Sequence, residues 1–317
     1  MKKMHMTRLG KILVLVLIAA LVLGLAGCGM FETRMAKAVM KMQKLQSNRA
    51  DLSADLDMRI SMFGNSALST SIDVDVNGMA EFIRDPLKGK LDLDVTLMDD
   101  TIPLRAFLER IEGDLLLYFS PDGGASWQKF DPQSGAAVPD LDLTFSPETL
   151  EWIADVASTF QETGTETVKG SEAIVYSGVV KWDDLTSVAD LDALAAELSD
   201  LLGVKVNSND LNLGSDGDVP VTLCIDKNNG MITKCTVDLT GPMSALIPFA
   251  TDLALNIIRQ KGGLGGVASF ASSFLNVGLD VDRCVISVEL YDFDAVGDID
   301  IPDAARNAPV SSRVSAH

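Results

Sequence analysis

The chain has 317 residues, 45 acidic against 26 basic side chains and a formal charge of −19. That surplus of carboxylate argues against a nucleic-acid partner, which needs Lys and Arg to neutralise phosphate. The only two histidines are His5 and His317, so the body of the chain has no imidazole for a Ser-His-Asp or Cys-His centre, or for a histidine zinc site.

The N-terminus carries Lys2, Lys3, Arg8 and Lys11 and no acid, then an apolar run from Ile12 to Leu25. A basic region, an apolar region and a small-residue cleavage site describe a secretory signal. The run is short for a membrane span, which needs about 20 residues. It ends in Leu25-Ala26-Gly27-Cys28, which resembles a bacterial lipobox. The resemblance implies diacylglyceryl transfer to the Cys28 thiol and cleavage before it, placing the protein on the extracytoplasmic face of a membrane. The competing reading is an uncleaved anchor helix with a chance cysteine. Removing residues 1–27 takes away four positive charges and no negative one, so the mature charge moves from −19 to −23. The net charge argues against adhesion to anionic headgroups, leaving membrane attachment to the lipid.

Residues 31–46 read as a helix, with Met35, Val39, Met42 and Leu45 at helical spacing and Arg34, Lys37, Lys41 and Lys44 among the polar positions. A capping helix with a solvated outer face is the plain reading; a membrane-facing role is the alternative. The period then changes to two. Leu52, Ala54, Leu56, Met58, Ile60 and Met62 alternate with polar residues, and Leu68, Thr70, Ile72, Val74 and Val76 continue after Gly64-Asn65. Asn77-Gly78 predicts a hairpin turn. Further strands are expected at 91–97, with Leu93 and Val95 on its apolar side, and at 102–108. Leu115 to Phe119, apolar on both faces, predicts a strand covered on both sides. Another strand lies around Trp127 to Phe130. Together they make an antiparallel meander with one apolar and one acidic face.

Residues 131–145 read as a connector, 147–160 and 187–202 as helices, and 165–182 as strands. Residues 207–219 read as a loop and 221–240 as a hairpin. Apolar helices are expected at 243–260 and 267–277, joined by Gly262 to Gly266, before a last strand at 281–293. The tail from Asp303 reads as disordered. The body thus forms one domain, 47–303, preceded by a lipid-anchored helix at 28–46 and followed by a tail at 304–317.

The glycine cluster lacks the Gly-Lys-Ser/Thr of a phosphate loop. Asn207 to Asp218 and Asp226 to Gly230 lack calcium-loop spacing and read as turns. No metal or cofactor is expected. Cys224 and Cys235 flank the 221–240 turn. If Val221, Leu223 and Ile225 share a core with Met231, Thr233, Cys235 and Val237, then Cys224 points to the other side of the sheet and the pair is not a disulfide, unless a bulge intervenes. Cys284, alternating with Ile286, Val288 and Leu290, reads as a small core residue. Methionines at 35, 42, 58, 62 and 98 suit either an adaptable greasy site or an ordinary core.

Three stretches carry a family resemblance: Leu117-Tyr118-Phe119 to Trp127-Gln128-Lys129; Val221 to Lys234 with Ile225-Asp226-Lys227 and Gly230; and Tyr291-Asp292-Phe293-Asp294-Ala295-Val296 followed by Ile299-Asp300-Ile301-Pro302. With the lipobox they resemble the LolA-like lipoprotein-carrier superfamily and the related mycobacterial lipid-binding lipoproteins, over residues 31–303. The resemblance implies an α+β fold, a curved antiparallel half-barrel wrapped around several apolar helices. It also implies an apolar cavity for acyl chains or another hydrophobic ligand, and no catalysis. The cavity residues on this reading are Leu56, Met58, Ile60, Met62, Ile72, Val74, Leu93 and Val95. The long apolar segment 241–278 departs from the family pattern. If it fills the cavity, the protein is a surface interaction or scaffold lipoprotein instead. For the anchor, Cys28→Ala is expected to abolish labelling by radioactive fatty acid in growing cells; persistent labelling would refute the assignment.

Overall fold

The computed structural model describes residues 34–62, 65–98, 100–130, 156–157, 159–182, 217–245 and 278–310. The first element is helix α1 (Arg34–Met42). Met35, Ala38, Val39, Met42 and the following Leu45 are buried, while Arg34, Lys37, Met40 and Lys41 are exposed, as the helical spacing requires. The helix closes in tighter turns, with Lys44 N–H donating to Lys41 O and Leu45 N–H to Met42 O.

Eleven strands follow: β1 (Ser47–Met62), β2 (Asn65–Ile83), β3 (Lys88–Leu97), β4 (Asp100–Ile111), β5 (Asp114–Ser120), β6 (Gln128–Phe130), β7 (Gln161–Val168), β8 (Ser171–Val180), β9 (Val219–Asp226), β10 (Ile232–Asp238) and β11 (Gly278–Tyr291). They make a single antiparallel sheet in the order β6-β5-β4-β3-β2-β1-β11-β10-β9-β8-β7. The order joins two meanders, β1 to β6 and β7 to β11, through the β1–β11 pair. The sheet is open, with β6 and β7 at opposite edges. A sheet this wide coils under the right-handed twist of its strands. The curved antiparallel sheet expected from the sequence is therefore present.

The helices expected at 147–160, 187–202, 243–260 and 267–277 fall almost wholly outside the described residues. Within those ranges only 156–157, 159–160 and 243–245 are seen; 156–157 and 243–245 are helical, and 159–160 are not.

Period-two alternation sorts the side chains into two faces. On one face, a row of cross-strand partners runs Tyr176, Leu223, Cys235, Val288, Leu52, Gly78, Leu93, Leu104 through eight strands. The buried side of α1 packs on this face in the main core. One residue along, the row on the other face reads Val175, Cys224, Lys234, Glu289, Asp51, Met79, Asp92, Arg105. Here the few cations bridge strands. Lys234 lies 2.7 Å from Glu166 and 3.7 Å from Glu289, and Lys169 pairs with Asp51 beneath the Tyr291 ring. Burial alone raises the Asp51 carboxyl, but hydrogen bonds from Lys169 and Tyr291 outweigh it and hold the group below the usual carboxylate range.

Asn77-Gly78 makes no turn. β2 runs straight through it, with Gly78 paired to Leu52 on one side and Leu93 on the other. A Cβ on Gly78 would sit 2.2 Å from Asp92 O and 2.5 Å from Leu93 Cδ2. The glycine serves close packing under Leu93, not reversal of the chain. The reversal comes between Ile83 and Lys88, around Pro86.

The outer side of β4 and β5 is also covered, which accounts for the doubly apolar run at Leu115 to Phe119. After β11 the chain turns at Asp292 and Asp294, both at positive φ. Asp294 Oδ1 accepts the Gln46 N–H at 2.6 Å. The segment then crosses the outer face, burying Ile299, Ile301 and Ala305 against Phe107, Leu116 and Tyr118. Part of the stretch expected to be disordered is thereby placed. Helix α2 (Asp303–Arg306) has Ala305 fully buried, and Val310 bridges to Lys129. Apolar contact at Ile299, Ile301 and Ala305 holds it, a signal that the polar composition of the tail hides. Buried Glu109 anchors the strap, accepting from the Tyr118 hydroxyl at 2.8 Å and Arg306 at 3.2 Å.

Gly78→Ala should lower unfolding stability by about 1–3 kcal/mol through overpacking. The check is the urea midpoint; an unchanged midpoint would contradict the close approach. Ile301→Ala should cost about 2–5 kcal/mol, and limited proteolysis should then cut between Tyr291 and Val310 first.

Candidate functional site

The apolar face divides into two patches. The larger, under α1, is ordinary core. The smaller lies toward the far end of β1, where Leu56, Val281 and Cys284 are buried and Met58, Val74, Leu239 and Met243 pack against them half-buried. Strand register produces this patch. Leu56 faces Val74 and Cys284, and Met58 faces Ile72 and Val281, past a bulge between Asp57 and Met58. A bulge kinks the strand and re-aims the side chains beyond it.

The β3 pairing of β2 ends at Val74–Leu97, whereas β2 begins at Asn65. On the other side β11 accompanies β1 to Ser61–Gly278. A three-stranded tongue of β2, β1 and β11 therefore projects beyond the rest of the sheet. Its outer face is charged, with Arg59–Asp282 at 2.6 Å and Arg283–Asp55 at 3.4 Å. Its inner face bears Leu56, Met58, Ile72 and Val74.

The chain leaving β10 closes one flank of the patch. Leu239 N–H donates to Cys284 O at 2.7 Å, Thr240 Oγ1 accepts Cys284 N–H at 2.9 Å, and Met243 N–H donates to Leu239 O at 2.9 Å. The helical turn at 240–245 is thereby fixed beside β11. The patch is lined by apolar side chains, with the Cys284 thiol among them.

The expected cavity residues are thus split. Leu56, Met58 and Val74 meet in the small patch, with Ile72 opposite Met58. Ile60 and Met62 take the next even positions of β1, opposite Thr70 and Asn65. Leu93 and Val95 belong to the main core. Leu25, Ala26, Gly27 and Cys28 lie outside the described residues. Val281, Leu239 and Met243 join the patch without a sequence signal, because their place depends on β11 lying beside β1. Met98 sits in the β3–β4 turn, 59 % exposed, away from the patch.

The three described cysteines are free. Cys235 pairs with Leu223 on the inner face and Cys224 with Lys234 on the outer, so the alternation argument holds. The bulge near Ile232 changes only the partner of Ile225, which is Ile232 and not Thr233. Burial pushes the thiols up: Cys235 to about 12, Cys284 to about 11 with Asp238 adding, and Cys224 to about 11 with Glu166 adding. Asp226 forms a turn, its carboxylate accepting the N–H groups of Asn228 and Asn229 at 2.7 and 2.8 Å. Among the described residues no cluster of His, Cys, Asp and Glu suits a metal ion, and no helix is long and apolar enough to cross a membrane.

No protein-family model and no curated protein matches the chain. Several solved structures are similar to the chain over most of its length. Lipoprotein LppX of Mycobacterium tuberculosis is similar at 14 % identity and TM-score 0.33, over 84 % of this chain and 96 % of that one. LprF from Mycobacterium bovis is similar at 12 % identity and TM-score 0.37, over 86 % and 95 %. An outer membrane lipoprotein-sorting protein domain from Vibrio parahaemolyticus is similar at 7 % identity and TM-score 0.19, over 80 % and 90 %. At these identities and scores the likeness transfers no ligand, partner or residue role to this chain.

A thiol with a pKa near 11 is about one part in a thousand thiolate at pH 8, and the thiolate is the reactive form. Cys224, Cys235 and Cys284 should therefore stay unmodified by Ellman's reagent at pH 8 in the native protein and react within minutes in guanidinium. Raised thiol pKa values add stability that is complete below the unfolded value, near 9, and is lost as pH rises toward 11. Rapid native labelling would refute the burial.

Proposed function

We propose that the protein is an extracytoplasmic lipoprotein, tethered by lipid on Cys28, that carries a lipid or other hydrophobic ligand on the inner face of the β2–β1–β11 tongue, without catalysis. The observation that supports this reading is the small apolar patch. It stands apart from the core that α1 completes, and Met58, Val74, Leu239 and Met243 are left half-buried around it. Half-buried methionines conform to acyl chains of differing shape. A carrier on a membrane tether also needs no catalytic group.

A second reading draws on the position of Leu239 and Met243. They show the chain's own segment already entering the patch as it leaves β10. If the residues beyond complete that cover, the protein is a filled scaffold that works through its acidic outer face and a protein partner.

Mass spectrometry of an organic extract from the purified protein separates the two. The carrier reading expects a co-purified amphiphile and displacement of a fluorescent fatty-acid probe by lipid. Met58→Asp and Val74→Asp, each checked for folding by circular dichroism, should weaken probe binding about tenfold or more, since one buried apolar side chain contributes about 1.5–3 kcal/mol. No amphiphile and no probe binding would leave the scaffold reading.

A further inference from the structure

We infer that the outward face of α1 is a docking surface for anionic lipid headgroups, which holds the tethered body in one orientation on its membrane. This face combines features found on no other described element. Arg34, Lys37, Lys41 and Lys44 are all exposed within eleven residues, and none forms an ion pair among the described residues. Elsewhere most cations are shared out among carboxylates: Arg49 lies 2.7 Å from both Glu81 and Asp292, and Lys90 lies 2.9 Å from Asp92. Met40 stands among the four cations, 39 % exposed, beside a shallow depression lined by Arg34, Lys37, Lys41 and Gly230. An apolar side chain ringed by cations fits a surface of anionic headgroups over hydrocarbon.

The opposite face of α1 is fixed by the core at Met35, Ala38, Val39 and Met42, so the helix cannot roll its cations away. Lys41 Nζ donates to Asn229 O at 2.5 Å, which steadies it beside the β9–β10 turn and leaves its charge unneutralised.

The occupant follows from chain length and charge. The inference rests on the Cys28 anchor for one step. Six residues carry the chain from Cys28 to Arg34, a reach of about 20 Å at most. A lipid on Cys28 thus keeps this basic face within reach of the bilayer, whatever path the connection takes. The remainder of the body is strongly acidic and is repelled by the same headgroups. The opposed charges act as an orienting couple, α1 toward the membrane and the acidic sheet away from it. Net charge alone misses this, because screening confines each interaction to about 10 Å at 0.1 M salt and so local charge decides.

The test uses the full lipidated protein in vesicles of phosphatidylcholine alone or with one-third phosphatidylglycerol. A water-soluble amine reagent labels lysines, and peptide mass spectrometry reads Lys37, Lys41 and Lys44 against Lys90 and Lys234 on the sheet. The expected result is at least threefold protection of the helix lysines in the anionic vesicles, reversed in 0.5 M salt. Replacing Arg34, Lys37, Lys41 and Lys44 by Gln should weaken anionic-vesicle affinity roughly fivefold per cation. Equal labelling in both vesicle types, or undiminished affinity of the Gln variant, overturns the inference. Co-sedimentation with the neutral vesicles reads the anchor separately. A protein absent from that pellet refutes lipidation at Cys28, and the helix surface then stands or falls on the anionic vesicles.

Discussion

The structure depends on the pairing of β1 with β11. Each is the inner end of a meander, and their thirteen paired positions, from Arg49–Tyr291 to Ser61–Gly278, turn two sheets into one. The pair is held on both faces. Inside, Leu52 meets Val288 and Ala54 meets Ile286; outside, Tyr291 donates to Asp51 at 2.8 Å and Arg59 reaches Asp282. More than two hundred residues separate the partners in sequence, so closure of this seam carries a large loop entropy and belongs late in folding. The strap that follows β11 depends on it directly. Ser47 O accepts the Asp294 N–H at 2.8 Å, and the chain can cross to Phe107 and Tyr118 only from that point.

The same seam explains how so acidic a chain folds. Carboxylates crowd the outer face on neighbouring strands, where like charges directly opposite one another destabilise a sheet. Few cations are available, and some are placed between two acids: Arg49 between Glu81 and Asp292, Lys169 between Asp51 and Glu289. Exposed pairs of this kind contribute little singly, about 0–1 kcal/mol. Their effect is to relieve repulsion across β11, β1 and β2, where burial of the inner face supplies the stability.

The two functional proposals use opposite resources of one architecture. The proposed ligand patch uses the inner face where the tongue outruns β3, and the proposed membrane surface uses α1, whose exposed cations form no ion pair among the described residues. Both follow from where pairing stops. β3 ends at Leu97 and leaves β2 to run on, and α1 precedes the sheet and so escapes its acidic outer face. A lipid-anchored carrier with its basic helix on the headgroups would hold its patch at a constant height above the bilayer.

From sequence alone, the amphipathic α1, most strands and the opposite sides of Cys224 and Cys235 were legible, because each depends on a local period of 3.6 or 2. The doubly apolar run at Leu115 to Phe119 even announced a second cover. What covered it was not legible, since Ile299, Ile301 and Ala305 are scattered in a polar stretch and gain meaning only against Phe107 and Tyr118. Asn77-Gly78 misled for a related reason: a dipeptide suited to a turn is equally suited to a close approach, and the position of Leu93 on the neighbouring strand decides between them. Two of the eight expected cavity residues, Leu93 and Val95, share their alternation with Leu56 and Met58, and alternation fixes the face but not the position along it. Tertiary structure decided that position through the register of β1 with β2 and β11 and the placement of α1. Register between strands remote in sequence is set by the packing of the whole face, which no local pattern contains.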